Sequence, residues 1–395
     1  MTPRFLQIHF LSAWPGALLN RDDAGLAKRL PFGPATRTRI SSQCLKRHWR
    51  MADDPRGLHA LAMENGVAGE RSKVAIERLV TGPLRDKFAT DLVDAVEAEF
   101  IAKYYGKKAI DPKQRQALLF GQPEVSFLRD EAERILAEST TAKEAAAAAQ
   151  AFAKEQRANL SALGDQVALA PGLEAALFGR MMTSDVRANT DAAIHVAHAF
   201  TVHDEQPELD YFTVVDDLRS REDDGDSGAA GVFDTELTSG LYYGYVVVDV
   251  PQLVSNLTGC HRKHWDSEED RELAARVVEN LVWLIAEISP GAKKGSTAPY
   301  SRAEFILIEA GERQPRTLAN AFREPVSLAS HHNESLGRRS ADALARHLAD
   351  LDETYATGEV RRQMALPDMA LGGVERQPLA AIASWAGGLV RDARC

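Results

Sequence analysis

The sequence predicts an α+β protein: a ferredoxin-like, RRM-like split β-α-β core carrying a large helical insertion and a long β-hairpin insertion. Three observations lead there. A β-rich run at Phe5–Leu11 is followed, across a loop, by a short capped helix. From 57 to 179 the texture changes to helix formers, and after Gly179 β-rich runs return with a strong amphipathic helix among them. Setting the insertions aside leaves strand, helix, strand, strand, helix, strand, which is the split β-α-β order shared with RNA-recognition motifs.

Each element has its own warrant. Phe5, Leu6, Ile8, Phe10 and Leu11 form a strand that stops at the turn signal "SAWPG". A turn-rich loop is expected from there to about Ile40. In "SSQCLKRHWR", Ser41 or Ser42 is a good N-cap, Leu45 and Trp49 lie on one face, and the helix should end before "DDPRG". Amphipathic helices are expected at Lys87–Tyr104, Glu131–Glu138 and the Ala-rich Thr141–Leu163, the last with few large side chains and so only thin packing. "AAIHVAHAF" reads as one strand ending at Phe200, and "LYYGYVVVDV" from Leu241 as another. The acid-rich excursion between them has "DYFTVV" and "GVFDTEL" as candidate hairpin arms. Glu268–Ile288 puts Leu273, Val277, Leu281, Leu284 and Ile288 on one stripe; "EFILIEA" from Glu304 is a last strand, and helices fit Ala341–Tyr355 and Leu379–Arg391.

With 395 residues, 45% hydrophobic and 26% charged, the chain has globular composition and ample length for a core or two. A formal charge of -10 argues against indiscriminate coating of nucleic acid, although screening lets a local basic track act alone. Cys44, Cys260 and Cys395 form no CxxC pair, so neither a disulfide framework nor structural zinc is suggested and a reducing cytoplasm fits. No apolar run reaches the ~20 residues that span a bilayer. The expectation is a cytoplasmic protein that uses no cofactor or metal and meets no membrane.

The most informative stretch is "RTRISSQCLKRHWR", Arg37–Arg50, which holds five Lys and Arg and no carboxylate. Basic side chains on one surface release counterions from a phosphate backbone, and a helix start without Asp or Glu leaves its amides free for an outside anion. Taken alone, the stretch is a solvated basic helix face. "LNRDD" puts Asp22 and Asp23 beside Arg21, with His9 upstream. As chemistry this is an acid/base or metal-assisted nuclease set; as structure, Asx turns. His195 and His198 face apart on a strand, and Cys260, His261, His264 and His331–His332 read as surface loops. "PGAKKGST", Pro290–Thr297, lacks the order of a phosphate loop, so its plainer reading is a solvated basic loop. Tyr211 and Phe212 are neighbouring aromatics on a projecting ribbon, able to stack on bases. There is no GxSxG elbow and no GxGxxG fingerprint.

Several of these motifs, "IHFLSAWPGALLNRDDAGLAKRLPFG", "RTRISSQCLKRHWR", "LFGRMMTS", "AHAFTVH", "DYFTVVDDL", "SGLYYGYVVVDV" and "ISPGAKK", occur in an order that resembles the CasC-type backbone subunits of type I-E CRISPR Cascade, which are RAMP proteins. The resemblance covers roughly 4–50, 178–257 and 288–326. It implies an RRM-like palm at 1–56, 180–200 and 239–395, helical fingers at 57–179 and a thumb hairpin at 201–238. It further implies CRISPR RNA as ligand, head-to-tail copies of the chain along it, other Cascade subunits as partners, and target DNA met through guide pairing. The RNA-binding set it carries over is Ser41, Ser42, Gln43, Lys46, Arg47 and Arg50, with Arg21 and Lys28 in the preceding loop. Met181, Tyr211 and Phe212 match a wedge that breaks the base stack. Cys44 stands where Ser is commoner and Tyr211 where Trp is commoner; the acidic run Glu222–Asp226 is expected to face solvent or a basic neighbour.

Two alternatives stand beside this non-catalytic scaffold. One is a RAMP-type endoribonuclease using Asp22, Asp23 and His9. The other is a structural polymer whose basic patch docks an acidic protein surface.

Overall fold

The computed structural model describes residues 2–106, 111–160, 171–181, 189–215, 229–267, 270–329 and 334–394, with side chains at 155–160 and 214–232 left aside. Glu222–Asp226, His331–His332 and Cys395 lie outside the described residues. The chain opens with β1 (Phe5–Ala17), β2 (Arg29–Phe32), β3 (Ala35–Ile40), α1 (Ser42–Arg50) and α2 (Leu58–Glu64). A helical insertion follows: β4 (Gly69–Ser72), α3 (Thr90–Tyr104), β5 (Leu118–Gly121), α4 (Gln122–Glu138), α5 (Ala142–Leu160) and α6 (Leu173–Phe178). Next come β6 (Ile194–Val196), β7 (Ala199–Thr201), β8 (Pro207–Val215), β9 (Ala229–Asp249), α7 (Val250–Thr258), α8 (Glu272–Glu287) and the short α9 (Lys294–Thr297). The chain closes with β10 (Ala303–Gly311), α10 (Leu336–Tyr355), β11 (Val360–Ala365), β12 (Glu375–Arg376) and α11 (Leu379–Arg391).

One sheet runs in the order β12-β11-β10-β1-β9-β7-β3-β2, with β6 and β8 also paired to β9. Its centre, β10-β1-β9-β6/β7, has the fourth, first, third and second strands of the predicted core as neighbours. All are antiparallel, as the split β-α-β order requires. β1 is hemmed on both edges: Phe5 faces Asp249 on one side and Gly311 on the other. Phe10 lies over Gly244, where a Cβ would come within 2.0 Å of the Phe10 ring, so only glycine fits that cross-strand position.

Period-two alternation divides the sheet residues between two cores. Leu6, Ile8 and Phe10 face α1, α7, α8 and α11, where Leu45, Trp49, Val277, Leu281 and Ile382 are buried. Leu11, Tyr243, Phe305 and Leu307 face α10 and the segment before it, meeting Leu318, Phe322, Leu344 and Leu348. The helical insertion has a third core of its own, around Ile76, Val80, Val93, Phe100, Phe120, Leu128 and Ile135, and α5 joins it through Ala145, Ala149 and Phe152. Small residues let α5 approach closely, so its thin face is a packed one.

The structure departs from the sequence expectations in places. The loop expected to run to Ile40 contains the β2–β3 hairpin, which pairs Arg29 with Thr38 and turns at Gly33 with φ +64°. "AAIHVAHAF" is two short strands, because the register against β9 shifts by one residue between Val196, opposite Val246, and Phe200, opposite Tyr243. Helices α2, α6 and α7 and strands β4, β5, β11 and β12 are too short to leave a periodic signal. The hairpin arms pair as read, Tyr211 with Asp234 and Phe212 with Phe233. Among the described residues no helix is long and apolar enough to cross a membrane.

Candidate nucleic-acid interface

The site begins at the start of α1. Ser41 is its N-cap, with Oγ accepting from the Cys44 amide at 3.3 Å, and the Ser41 amide donates to Asn20 Oδ1 at 2.9 Å. The first turn holds no acidic residue and the last turn holds Arg47, His48 and Arg50. Because Leu45 and Trp49 turn into the core, the outer face is left to Ser42, Gln43, Lys46 and Arg47. Lys46 lies half-buried with Nζ 5.5 Å from the centre of the Phe178 ring, and burial lowers its pKa. Arg50 is half-buried at the helix end. Burial lowers its pKa against the opposing pull of Glu174, and its Nε is buried with no hydrogen-bond partner.

Two loops widen this face. In the loop between β1 and β2, Arg21 bridges to Ala27 and the Lys28 amide donates to Asn20 O at 2.9 Å, which turns the loop toward the start of α1. Asp22 Oδ1 accepts from the Ala24 and Leu26 amides, making it an Asx turn, while Asp23 stays exposed. Arg39 donates through Nε to Arg29 O and lies 3.0 Å from His198 Nδ1. The stretch Pro290–Thr297 comes in from the other side, where Ala292 donates to Leu18 O at 2.9 Å. The Lys294 charge is felt at both Cys44 and His48, and that of Lys28 at Cys44 and His198. These residues therefore line one surface. The Cys44 thiol within it is pushed up to about 11 by burial, which leaves it a small neutral side chain.

Among the described residues, Arg21, Lys28, Arg39, Lys46, Arg47, Arg50 and Lys294 make no ion pair with a carboxylate. Arg37, by contrast, leaves the surface. It is fully buried and donates to Thr201 O at 2.9 Å and Phe322 O at 2.8 Å, so the stretch that reads as uniformly basic is split between a structural arginine and a basic face.

The β8–β9 hairpin rises beside this surface and carries Tyr211 and Phe212 as consecutive residues of β8. Consecutive strand residues point to opposite faces, so the two rings lie on opposite sides of the ribbon. Phe212 stacks on Phe233 with ring centres 5.7 Å apart, and Lys293 Nζ lies 6.0 Å from the Phe212 centre. Tyr211, 71% exposed, is on the other face with Leu209. Met181 is 65% exposed and follows Arg180, whose buried guanidinium donates to Glu124 at 2.6 Å.

The structure does not bring His9 to Asp22 and Asp23. His9 is fully buried, with Nε2 3.0 Å from Glu309 and Nδ1 2.9 Å from the Tyr243 hydroxyl, so both ring nitrogens are occupied. Among the described residues no group of three or more His, Cys, Asp or Glu is placed to hold a metal ion. Sequence reasoning missed Arg39, Lys293 and Lys294. The Lys pair was visible in "PGAKKGST", but nothing in the sequence says that this loop lies against α1.

Comparison with known proteins agrees with this architecture. The family model for CT1975-like proteins matches residues 6–385. No curated protein matches the chain. Among solved structures, a chain of a "CRISPR RNA-guided surveillance complex, pre-nicking" is similar with a TM-score of 0.72 at 23% identity, over 97% of this chain and 100% of that one. A chain of a "CRISPR RNA-guided surveillance complex" is similar with a TM-score of 0.62 at 21% identity, over the same shares of the two chains. Matched along nearly its whole length, the chain belongs to the CT1975-like protein family, Cas_CT1975, and has the fold of a CRISPR surveillance-complex subunit.

Proposed function

We propose that the protein is a non-catalytic CRISPR RNA-binding backbone subunit of a type I-E Cascade complex, acting in the cytoplasm in antiviral defence. Copies stack head to tail along the guide, and other Cascade subunits and the guide limit the filament. Lys28, Lys46, Arg47 and Arg50 grip the RNA backbone with Arg21 and the neutral donors Ser41, Ser42 and Gln43. The hairpin and Met181 interrupt the base stack at intervals, leaving the bases between to pair with target DNA. Sequence is then read by pairing and not by the protein.

One observation carries this reading: a face of cations that have no carboxylate partner among the described residues, in a chain whose formal charge is -10. An open set of unpaired Lys and Arg on a capped helix start fits a run of phosphates, with roughly one counterion released per contact. An anionic exterior elsewhere limits stray nucleic-acid binding.

The test is to purify the chain with a CRISPR RNA and measure RNA retention against salt, RNA length after incubation with Mg²⁺, and oligomer size. Retention that falls steeply with salt, intact RNA and RNA-dependent assembly are the expected results. RNA cut at regular intervals, with cutting lost in Asp22→Ala, would replace the scaffold by a nuclease. Assembly that ignores both RNA and salt would replace it by a protein polymer.

A further inference from the structure

The hairpin is not held by the sheet along its length. β9 pairs with β1 from Asp249 only as far as Thr238, opposite Ala17, and toward the tip it pairs with β8 alone. A two-stranded ribbon is free to twist and swing unless side chains tie it down. Among the described residues beyond Thr238, two side-chain ties are present, one on each face. On one face Glu236, 5% exposed, accepts from the Ala27 amide at 2.6 Å and from Arg29 Nη2. Arg29 also donates through Nε to Glu205, just before β8, and through Nη1 to Ala27 O at 3.1 Å. On the other face Thr235 Oγ1 accepts from Lys293 Nζ at 2.6 Å.

The two ties lead to the two loops that flank α1. We propose that Arg29, Glu236 and Glu205 form a positioning clamp that fixes the angle at which the hairpin leaves the sheet, and with it the spacing of contacts along bound RNA. The proposal rests on the RNA-binding reading above and adds to it the residues that set the geometry. Arg29 reaches the β1–β2 loop, the base of β8 and the inner face of β9 at once. Its planar fork can hold all three in one arrangement, which a lysine would not. The Ala27 amide bonded to Glu236 precedes Lys28 directly, so the same carboxylate orders the basic loop.

The sign of one mutation separates positioning from plain charge. Glu236 is a carboxylate beside a phosphate-binding face, and on electrostatics alone its removal strengthens RNA binding. As part of a clamp, its removal weakens it.

The experiment uses the full chain, a single-stranded RNA long enough for several copies, and reactivity of the RNA bases to dimethyl sulfate. Glu236→Ala is expected to weaken RNA binding about tenfold at constant salt. The salt slope should be unchanged, because no phosphate contact is removed, and the periodic base reactivity should blur. Glu236→Asp should regain the periodicity, and Thr235→Val should blur it less. Should Glu236→Ala fail to unfold cooperatively, Glu236→Gln, which keeps the size and an acceptor for Ala27, decides on the same criteria. Tighter binding with the periodicity intact overturns the clamp and leaves the RNA-binding reading standing. Wild-type protein that retains no RNA, or retains it independently of salt, overturns both.

Discussion

The α10 face of the central sheet and the surface around α1 handle charge in opposite ways. On the α10 face, Glu309 is fully buried and accepts both Nη atoms of Arg316, at 2.6 and 2.9 Å, and Nε of Arg361 at 2.6 Å. Arg361 in turn binds Asp352 on α10. His9 and Tyr243 close the network, and Gln7 Oε1 accepts from the Tyr245 hydroxyl and the Arg316 amide. On the α1 side, Arg39, Lys46, Arg47 and Lys294 have no carboxylate partner among the described residues. The same residue types thus sit in different settings: paired arginines tie β1, β10, β11 and α10 together, while those around α1 have no carboxylate partner among the described residues. A count of basic residues cannot tell these apart.

The largest expected effect breaks the paired side. Glu309→Ala removes the buried carboxylate that Arg316 and Arg361 share, leaving Arg361 its bond to Asp352 but taking from Arg316 its 2.6 Å partner, and should cost about 3–5 kcal/mol of unfolding free energy in a denaturant titration. A loss under about 1 kcal/mol would mean that the network is not what joins these strands. The unpaired side should respond in the other currency. Lys46→Ala with Arg47→Ala should change stability by no more than about 0.5 kcal/mol while lowering RNA affinity about 100-fold at physiological salt. The log–log salt slope should become shallower by about 1.4, for two phosphates on a single strand. Equal losses of stability and affinity would erase the distinction between the faces. A smaller effect is expected at the hairpin, where Phe212→Ala removes the ring between Phe233 and Lys293 and should lower RNA affinity by roughly 1–2 kcal/mol if a base stacks there. Tyr211→Ala, on the other ribbon face, should leave that stack in place, and chemical probing of the bases distinguishes the two.

The smallest effect is a pH dependence on the paired side. Burial, and then the two arginines, depress the His9 pKa, so the folded protein holds it neutral while the unfolded chain takes up a proton below about 6.5. Burial alone would raise Glu309, but hydrogen bonds from Arg316 and His9 outweigh it and hold the carboxylate well below its usual range. A depressed carboxylate contributes stability that is present above its unfolded value near 4.5 and lost as pH falls through its folded value. Both groups therefore make acid destabilising, first through His9 and then through Glu309. Melting temperatures at pH 7.5 and 5.5 should show a modest drop in wild type that His9→Gln reduces; an unchanged drop would clear His9 of the effect.

Much of the scaffold is legible in the sequence, and the reasons are local. Phe5–Leu11, Glu304–Ala310 and the Leu273–Leu284 stripe carry strong periodicity, and the hairpin arms flank an unmistakable polar excursion. The β2–β3 hairpin hides because Pro31 and Pro34 bracket its turn in the manner of a loop. The site is legible in part: α1 announces itself by missing carboxylates, and the Ser41 cap follows from its position. What stayed hidden is tertiary. Arg37 looks like Arg39 until Thr201 and Phe322 close around one of them, and Lys294 joins the site only because Ala292 hydrogen-bonds to Leu18. Tyr211 and Phe212 were adjacent letters, and adjacency on a strand is separation in space.

The pairing of β1 on both edges also bears on how the chain is made. Its partners, Tyr243–Asp249 and Phe305–Gly311, leave the ribosome more than two hundred residues after it, so for most of synthesis an apolar strand has neither neighbour. The helical insertion between them has a self-contained core and can close first, while β1 waits with its edges open to other nascent chains. Slowing elongation before β9 should therefore lower soluble yield, and supplying a holdase chaperone should restore it.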